Sequence, residues 1–261
     1  MVEQFPLILW SVNLPWTVGL CLVLVTNGLF YWLAPQTRFK KETPGKKDYL
    51  RELLNIFRYS ITALASLLLL RIWLMKLQVP TLFEIPPAYE EVFFWASLPI
   101  LIVTHDFYFY WMHRLLHTPW LYRKIHYVHH QSKNPTPLTA LSFHFVESFF
   151  QLGFYLFMSL LIPIPLIPSA LFRWGAVLMD ATWHSSFPYL PKFVYRKGVR
   201  QVLASPFHHF YHHDKGDKNY GLYFNFWDHL LGTQHPLYNR DLDRKLEQDP
   251  STVTETDQQS A

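Results

Sequence analysis

The chain has 261 residues, enough for one sizeable domain. Half of it is hydrophobic, 18% is aromatic and only 16% is charged, against about 25% charged in soluble proteins, which points away from an ordinary soluble protein and towards a membrane one. The net charge of +4, from 23 Lys and Arg against 19 Asp and Glu, calls for no nucleic acid, and the single cysteine, Cys21, excludes an intrachain disulfide.

An apolar run from about Leu7 to Ala34 is long enough to span a bilayer. Glu3 and the absence of Lys or Arg ahead of it argue against a cleaved signal peptide. The basic loop from Arg38 to Lys47 follows and is expected on the cytoplasmic side. A second run, Ile56 to Val79, would return across the membrane despite Arg71 and Lys76. Residues Thr81 to Glu91 read as an outside loop or surface turn. A third run, Val92 to Met112, leads into the first histidines. A fourth, Phe143 to Ile167, and a fifth, Ser169 to Trp183, form a hairpin broken by Pro163, Pro165 and Pro168. Residues Pro191 to Pro206 mix basic and apolar side chains and are expected to form an amphipathic interfacial helix. From Asn239 the chain is polar and is expected to be disordered. The fold class that follows is all-α: an integral membrane bundle of about four to five spanning helices under a cytoplasmic, histidine-rich helical cap. It divides into N-terminal spans (1–91), a catalytic region (92–238) and a polar tail (239–261).

Histidine is the anomaly. Thirteen of the 14 fall between His105 and His229. Three clusters stand out: His113-x-x-x-His117, His126-x-x-His129-His130 and His209-x-x-His212-His213. On a helix, positions i, i+3 and i+4 share a face, so each cluster should aim its imidazoles one way. The pair alone is equally compatible with interfacial histidines satisfied by water. Two triplets and a pair on one side of a membrane are not, and imidazole is the commonest side-chain metal ligand. Eight imidazoles exceed what one four-coordinate zinc needs, so two metals are expected.

The stretch His105-Asp106-Phe107 through His117, the triplet His126-x-x-His129-His130, Asn134 through His144 and Glu147, Asp180-Ala-Thr-Trp-His184, the triplet His209-x-x-His212-His213 and Trp227-Asp228 through Gly232 together resemble the fatty acid hydroxylase/sterol desaturase superfamily of membrane di-iron oxygenases. The likeness covers roughly residues 100 to 235. It implies nine metal ligands: His113, His117, His126, His129, His130, His184, His209, His212 and His213. Some relatives carry a further histidine where this chain has Asp180, which becomes either a ligand or a partner to one. His144 and Glu147 match a family element and are assigned to supporting roles. Asp106 and Asp228 are read as carboxylates orienting ligand imidazoles. His105 is read as a satisfied core histidine, His208 as incidental, and His229 and His235 as surface residues. Phe107, Tyr110 and Phe143 are expected to line the substrate path.

The function implied is hydroxylation or desaturation of a hydrophobic lipid, sterol or fatty acyl, using two iron ions, O₂ and two electrons. Zinc is expected to replace iron in some purified samples. The electrons would come from a separate protein resembling cytochrome b5 or ferredoxin. The membrane would be the endoplasmic reticulum or a bacterial inner membrane, with the site on the cytoplasmic face. The alternative is a histidine-rich zinc or nickel transporter or sensor, which would place ionisable ligands within the spans rather than at their ends.

Overall fold

A computed structural model describes residues 44–77, 83–185 and 190–247. The run from Leu7 to Ala34, Cys21, the loop residues before position 44 and the tail beyond position 247 lie outside them. The described residues are helical and contain no β-strand, only an isolated antiparallel bridge between Leu203 and Phe224.

Helix α1 (Lys46–Leu77) opens with Asp48, whose carboxylate accepts from the Gly45 amide at 3.0 Å and complements the helix dipole. Its buried residues Glu52, Asn55, Ile56 and Tyr59 repeat at i, i+3, i+4 and i+7 and so form one stripe. Ile56 and Tyr59 pack with Leu141, Phe143 and Leu152. Glu52 accepts hydrogen bonds from Ser132 (2.6 Å), Thr136 (2.7 Å) and Thr139 (2.8 Å), which ties α1 to the loop between the histidine triplet and the next helix. Glu52→Ala would bury three hydroxyls without this acceptor. At ~1 kcal/mol or more for each, a loss of about 3 kcal/mol and a clearly lower melting temperature in detergent are expected.

Helix α2 (Glu90–Leu116) carries Leu101, His105, Phe109, His113 and Leu116 on a buried face. Val92, Val103, Phe107 and Trp111 stand exposed on the other. With the 3₁₀ turn before it, this element runs Pro87–Leu116 at mean hydropathy 1.4, long and apolar enough to cross a membrane. It is the one such helix among the described residues. The hairpin expected from the three prolines is present as α5 (Phe145–Leu161) and α6 (Leu166–His184). Yet α5 has 17 residues and α6 carries Arg173 and Asp180, so neither meets that criterion.

Between α2 and α5 the chain winds through α3 (Pro119–Leu121), a π-helical turn (Tyr122–His126), α4 (Tyr127–His130) and a 3₁₀ turn (Thr139–Leu141). After α6 come a 3₁₀ turn (Lys192–Tyr195), α7 (Pro206–Lys215), α8 (Phe226–Leu230) and α9 (Tyr238–Glu247). Two expectations are corrected here. Residues 191–205 hold only the 3₁₀ turn and irregular turns, because Val194, Tyr195, Arg200 and Ala204 face the protein core rather than one side of a helix. The polar chain does not become structureless at Asn239 either: Tyr238 and Leu242 of α9 are fully buried, Asp241 accepts from Tyr211 at 2.8 Å, and Arg200 grips Asp243. Two apolar anchors and two ionic ones suffice to dock a helix whose other residues are polar.

Candidate metal centre

Four segments deliver the histidines. His113 lies in the last turn of α2 and His117 caps it. The π turn and α4 carry His126, His129 and His130. His184 is the last residue of α6. Helix α7 carries His209, His212 and His213; it is capped by Ser205, whose hydroxyl accepts from the His208 amide, has Pro206 at its first position, and stops at Gly216 with φ 77°.

The nine side chains converge as two groups. In one, His113, His117, His126, His130 and His212 each offer a nitrogen, all within 4.8 Å of one another. In the other, His129, His184, His209 and His213 do the same. All are buried except the half-buried His117. Each triplet is therefore divided, contrary to the expectation that its rings point one way. The i, i+4 pair His126/His130 serves the first group and His129 the second; His209/His213 serve the second and His212 the first. Helix geometry explains it: neighbours such as 129 and 130 diverge by about 100° while i and i+4 stay about 40° apart.

The donor set fits metal ions. Outer nitrogens are committed to protein acceptors: His113 Nδ1 to the Tyr220 carbonyl (2.9 Å), His126 Nδ1 to Glu147 (2.8 Å), His184 Nδ1 to the Asp180 carbonyl (2.8 Å) and His212 Nδ1 to the Lys218 carbonyl (2.6 Å). A ring that donates through Nδ1 turns the Nε2 lone pair inward. The inward nitrogens of His117, His126 and His213 are buried with no hydrogen-bond partner. Others face only one another, His184 Nε2 lying 3.2 Å from His129 Nε2 and 2.9 Å from His209 Nε2, and His130 Nε2 3.0 Å from His212 Nε2. Opposed lone pairs repel, and a shared cation removes that cost. Burial, reinforced by neighbouring imidazoles, holds His117, His126, His129, His130, His209, His212 and His213 well below the usual histidine range. They are neutral at pH 7, the form that ligates.

The other singled-out residues separate clearly. Glu147, wholly buried, orients His126. Asp180 stands outside both groups; its carboxylate is 3.3 Å from His184 Nδ1. His144 caps α5 through the Val146 amide. His105 is a core residue, its ring 3.0 Å from the Tyr223 hydroxyl. Asp106 orients no imidazole: it accepts from the Tyr223 and Phe224 amides and Trp227 Nε1 (2.8 Å), pinning the C-terminal loop to α2. Asp228 likewise gathers the Tyr220 and Gly221 amides and Thr233 rather than a grouped histidine. Burial pushes its pKa up, but His208 and those amides more than offset this and hold it low. A Cβ at Gly221 would strike the Phe224 carbonyl and lie 2.9 Å from Asp228, so only glycine fits there.

His208 is the residue that sequence reasoning dismissed. It is fully buried, with Nε2 3.3 Å from Asp228, and so supports the loop whose Tyr220 carbonyl holds His113. Its adjacency to the triplet carried no such signal. Phe107 and Tyr110 do not line an interior path. Phe107 is half exposed against Trp111 and Trp227, and Tyr110 is sealed against Thr233. Phe143 does line one, stacked on His129 at 4.9 Å. A small cavity touching His113, His126, His129, His184 and His209 adjoins a larger one, about 60 Å³, that runs between α2, α5 and α6.

The sequence profile described as fatty acid hydroxylase matches residues 98–233, a segment that contains every grouped histidine. Among curated relatives, lathosterol oxidase of Mus musculus is 31% identical over 147 residues, 54% of this chain and 48% of its own. Delta(7)-sterol 5(6)-desaturase of Leptosphaeria maculans is 25% identical over 242 residues, 87% of this chain and 63% of its own. The very-long-chain aldehyde decarbonylase GL1-7 of Oryza sativa subsp. japonica is 28% identical over 165 residues, 57% and 25% respectively. The chain thus spans less than two thirds of the length of these relatives. No solved structure matches it.

Proposed function

Because the chain belongs to the fatty acid hydroxylase family, we propose that it is a membrane-bound, non-haem di-iron oxygenase that hydroxylates or desaturates a lipid. The observation that carries this reading is the pair of buried imidazole groups sharing a wall with an interior cavity. One iron would be held by His113, His117, His126, His130 and His212, the other by His129, His184, His209 and His213. Iron with O₂ and two electrons supplies the power to break an unactivated C–H bond, which acid–base side chains lack at neutral pH.

The protein's own share is placement and exclusion. Glu147, Asp180 and the Tyr220 and Lys218 carbonyls fix the ring orientations. Phe109, Met112, Leu116 and Phe143 wall the small cavity against water. The larger cavity would take the part of the lipid next to the reacting carbon, the molecule entering from a bilayer that contacts the exposed apolar faces of α2, α5 and α6. In this reading residues 92–238 form the catalytic region. Four to five spans, counting Leu7–Ala34, hold the histidines at the cytoplasmic face, and a separate carrier of the cytochrome b5 or ferredoxin kind supplies electrons. The transporter reading fares worse, because nine closed-in neutral ligands would hold a cation rather than pass it on.

Metal analysis of protein purified anaerobically with iron should give about two irons per chain, together with substrate-dependent O₂ uptake. One tight zinc per chain and no O₂ uptake would overturn the proposal.

A further inference from the structure

Helix α8 has two unlike sides. Asp228 is turned inward and wholly buried on the Tyr220 and Gly221 amides. Phe226 and Leu230, at i and i+4, are turned outward and stand 45% and 62% exposed, with Leu231 exposed beside them. Single exposed apolar side chains are ordinary, but a contiguous patch marks a surface that meets a partner or a membrane.

The patch continues beyond α8. Trp227 packs edge-on against Phe107 of α2 at 5.4 Å, and Phe107 meets Trp111 at 6.4 Å. The Trp227 indole is also held by Asp106, 121 residues earlier in the chain. Phe107 and Trp111 are themselves about half exposed and prolong the exposed stripe that Val103 begins. Helix α8 thus extends the outer apolar face of the Pro87–Leu116 element, which is long enough to cross a membrane.

Depth can be read from the same element. Its 30 residues reach roughly 45 Å, against a hydrocarbon core of about 30 Å. Centred on that core, it would leave Phe107 to Trp111 in the outermost ~8 Å, against the headgroups. Arg114 marks the boundary from the other side. Its guanidinium lies 5.6 Å from the centre of the Trp111 ring, one turn nearer the histidines, where a cation reaches the headgroups. A protein partner in water could not follow this patch onto the spanning helix, whereas lipid can.

We propose, on the membrane reading above, that α8 is an interfacial anchor. Phe226, Leu230 and Leu231 lie in the boundary between headgroups and acyl chains beside Phe107 and Trp111, and the bilayer surface is the partner of this face. Asp228, on the inner side of the same short helix, holds the loop whose Tyr220 carbonyl accepts from His113. The anchor therefore seats the metal centre on the membrane.

The test uses the full chain in vesicles of phosphatidylcholine and phosphatidylserine, with Cys21→Ser removing the only native thiol. A fluorophore is attached in turn at Phe226→Cys and Leu230→Cys. Val103→Cys serves as the lipid reference and Asp217→Cys as the aqueous one. All four positions are exposed, and either of 226 and 230 can be read if the other variant misfolds. Labels at 226 and 230 should be quenched by lipids that carry a nitroxide near the headgroup and should escape the aqueous iodide that quenches at 217. Iodide quenching at 226 and 230 as strong as at 217, with 103 protected, would overturn the anchor and leave the membrane reading standing. Iodide quenching at 103 as well would sink both. Labels shielded from both quenchers would mean that protein covers the patch, a second copy or the Leu7–Ala34 run, and that result too would overturn the anchor.

Discussion

His209→Ala should lower bound metal from two ions per chain to about one and reduce lipid oxidation at least ~100-fold, beyond the loss expected from a supporting residue. His209 belongs to the group of four, where each ring is a large share of the ligand set. Its Nε2 lies 2.9 Å from that of His184, so its removal leaves three imidazoles around a gap. His130→Ala should do the same to the other ion, with a milder loss of affinity because four rings remain. Both variants should stay in the membrane, and each should keep the ion of the intact group. Metal analysis beside product quantification separates the cases. If either substitution leaves two ions and full product, the grouping is wrong. If either removes both ions while the protein remains folded, the groups are not separate sites.

Much of this centre is legible in the sequence because metal ligation demands one residue type at helical spacing. Two His-x-x-His-His triplets are too improbable to overlook, and the proline breaks mark the α5–α6 hairpin. The division of each triplet is far less visible. Spacing says that His126, His129 and His130 lie within about 100° of arc, but not that two ions would sit on either side of that arc. His184 has only the family resemblance to point to it, since a lone histidine ending an apolar run has no periodic signature. Carboxylate roles leave the least trace in the sequence. Glu147, Asp106 and Asp228 lie in similar aromatic surroundings, yet only Glu147 meets a ligand ring, while Asp106 and Asp228 collect backbone amides from a loop more than a hundred residues from α2 or folded on itself. The Asp106 pairings, across more than a hundred residues, leave no local trace. The same holds for α9, whose polar composition hides the two buried residues and two ionic contacts that dock it.

The metal-free protein should lose stability as pH falls below about 6.5, and the loaded protein should hold out to lower pH, until protons displace its metal. Seven histidines outside the apolar helices, His117, His126, His129, His130, His209, His212 and His213, are held by burial well below the ordinary histidine value. That value, about 6.5, describes them once unfolded. Above it neither state binds protons and stability is independent of these groups. Below it the unfolded chain takes up protons that the folded chain refuses, so the equilibrium moves towards unfolding. Each such group contributes ~1.4 kcal/mol per pH unit. Three of the seven acting in full would remove about 4 kcal/mol per unit, against a total stability of roughly 5–15 kcal/mol. Bound cations oppose the effect until protons displace them, because ligation needs the neutral ring. Melting temperatures in detergent from pH 8 to pH 5 should therefore begin to fall near pH 6.5 and fall most sharply below about 5.5 without metal, and turn down at lower pH with it. A flat profile for the metal-free protein would mean that these imidazoles are already hydrated and protonatable in the fold, and the closed, dry centre would have to be abandoned.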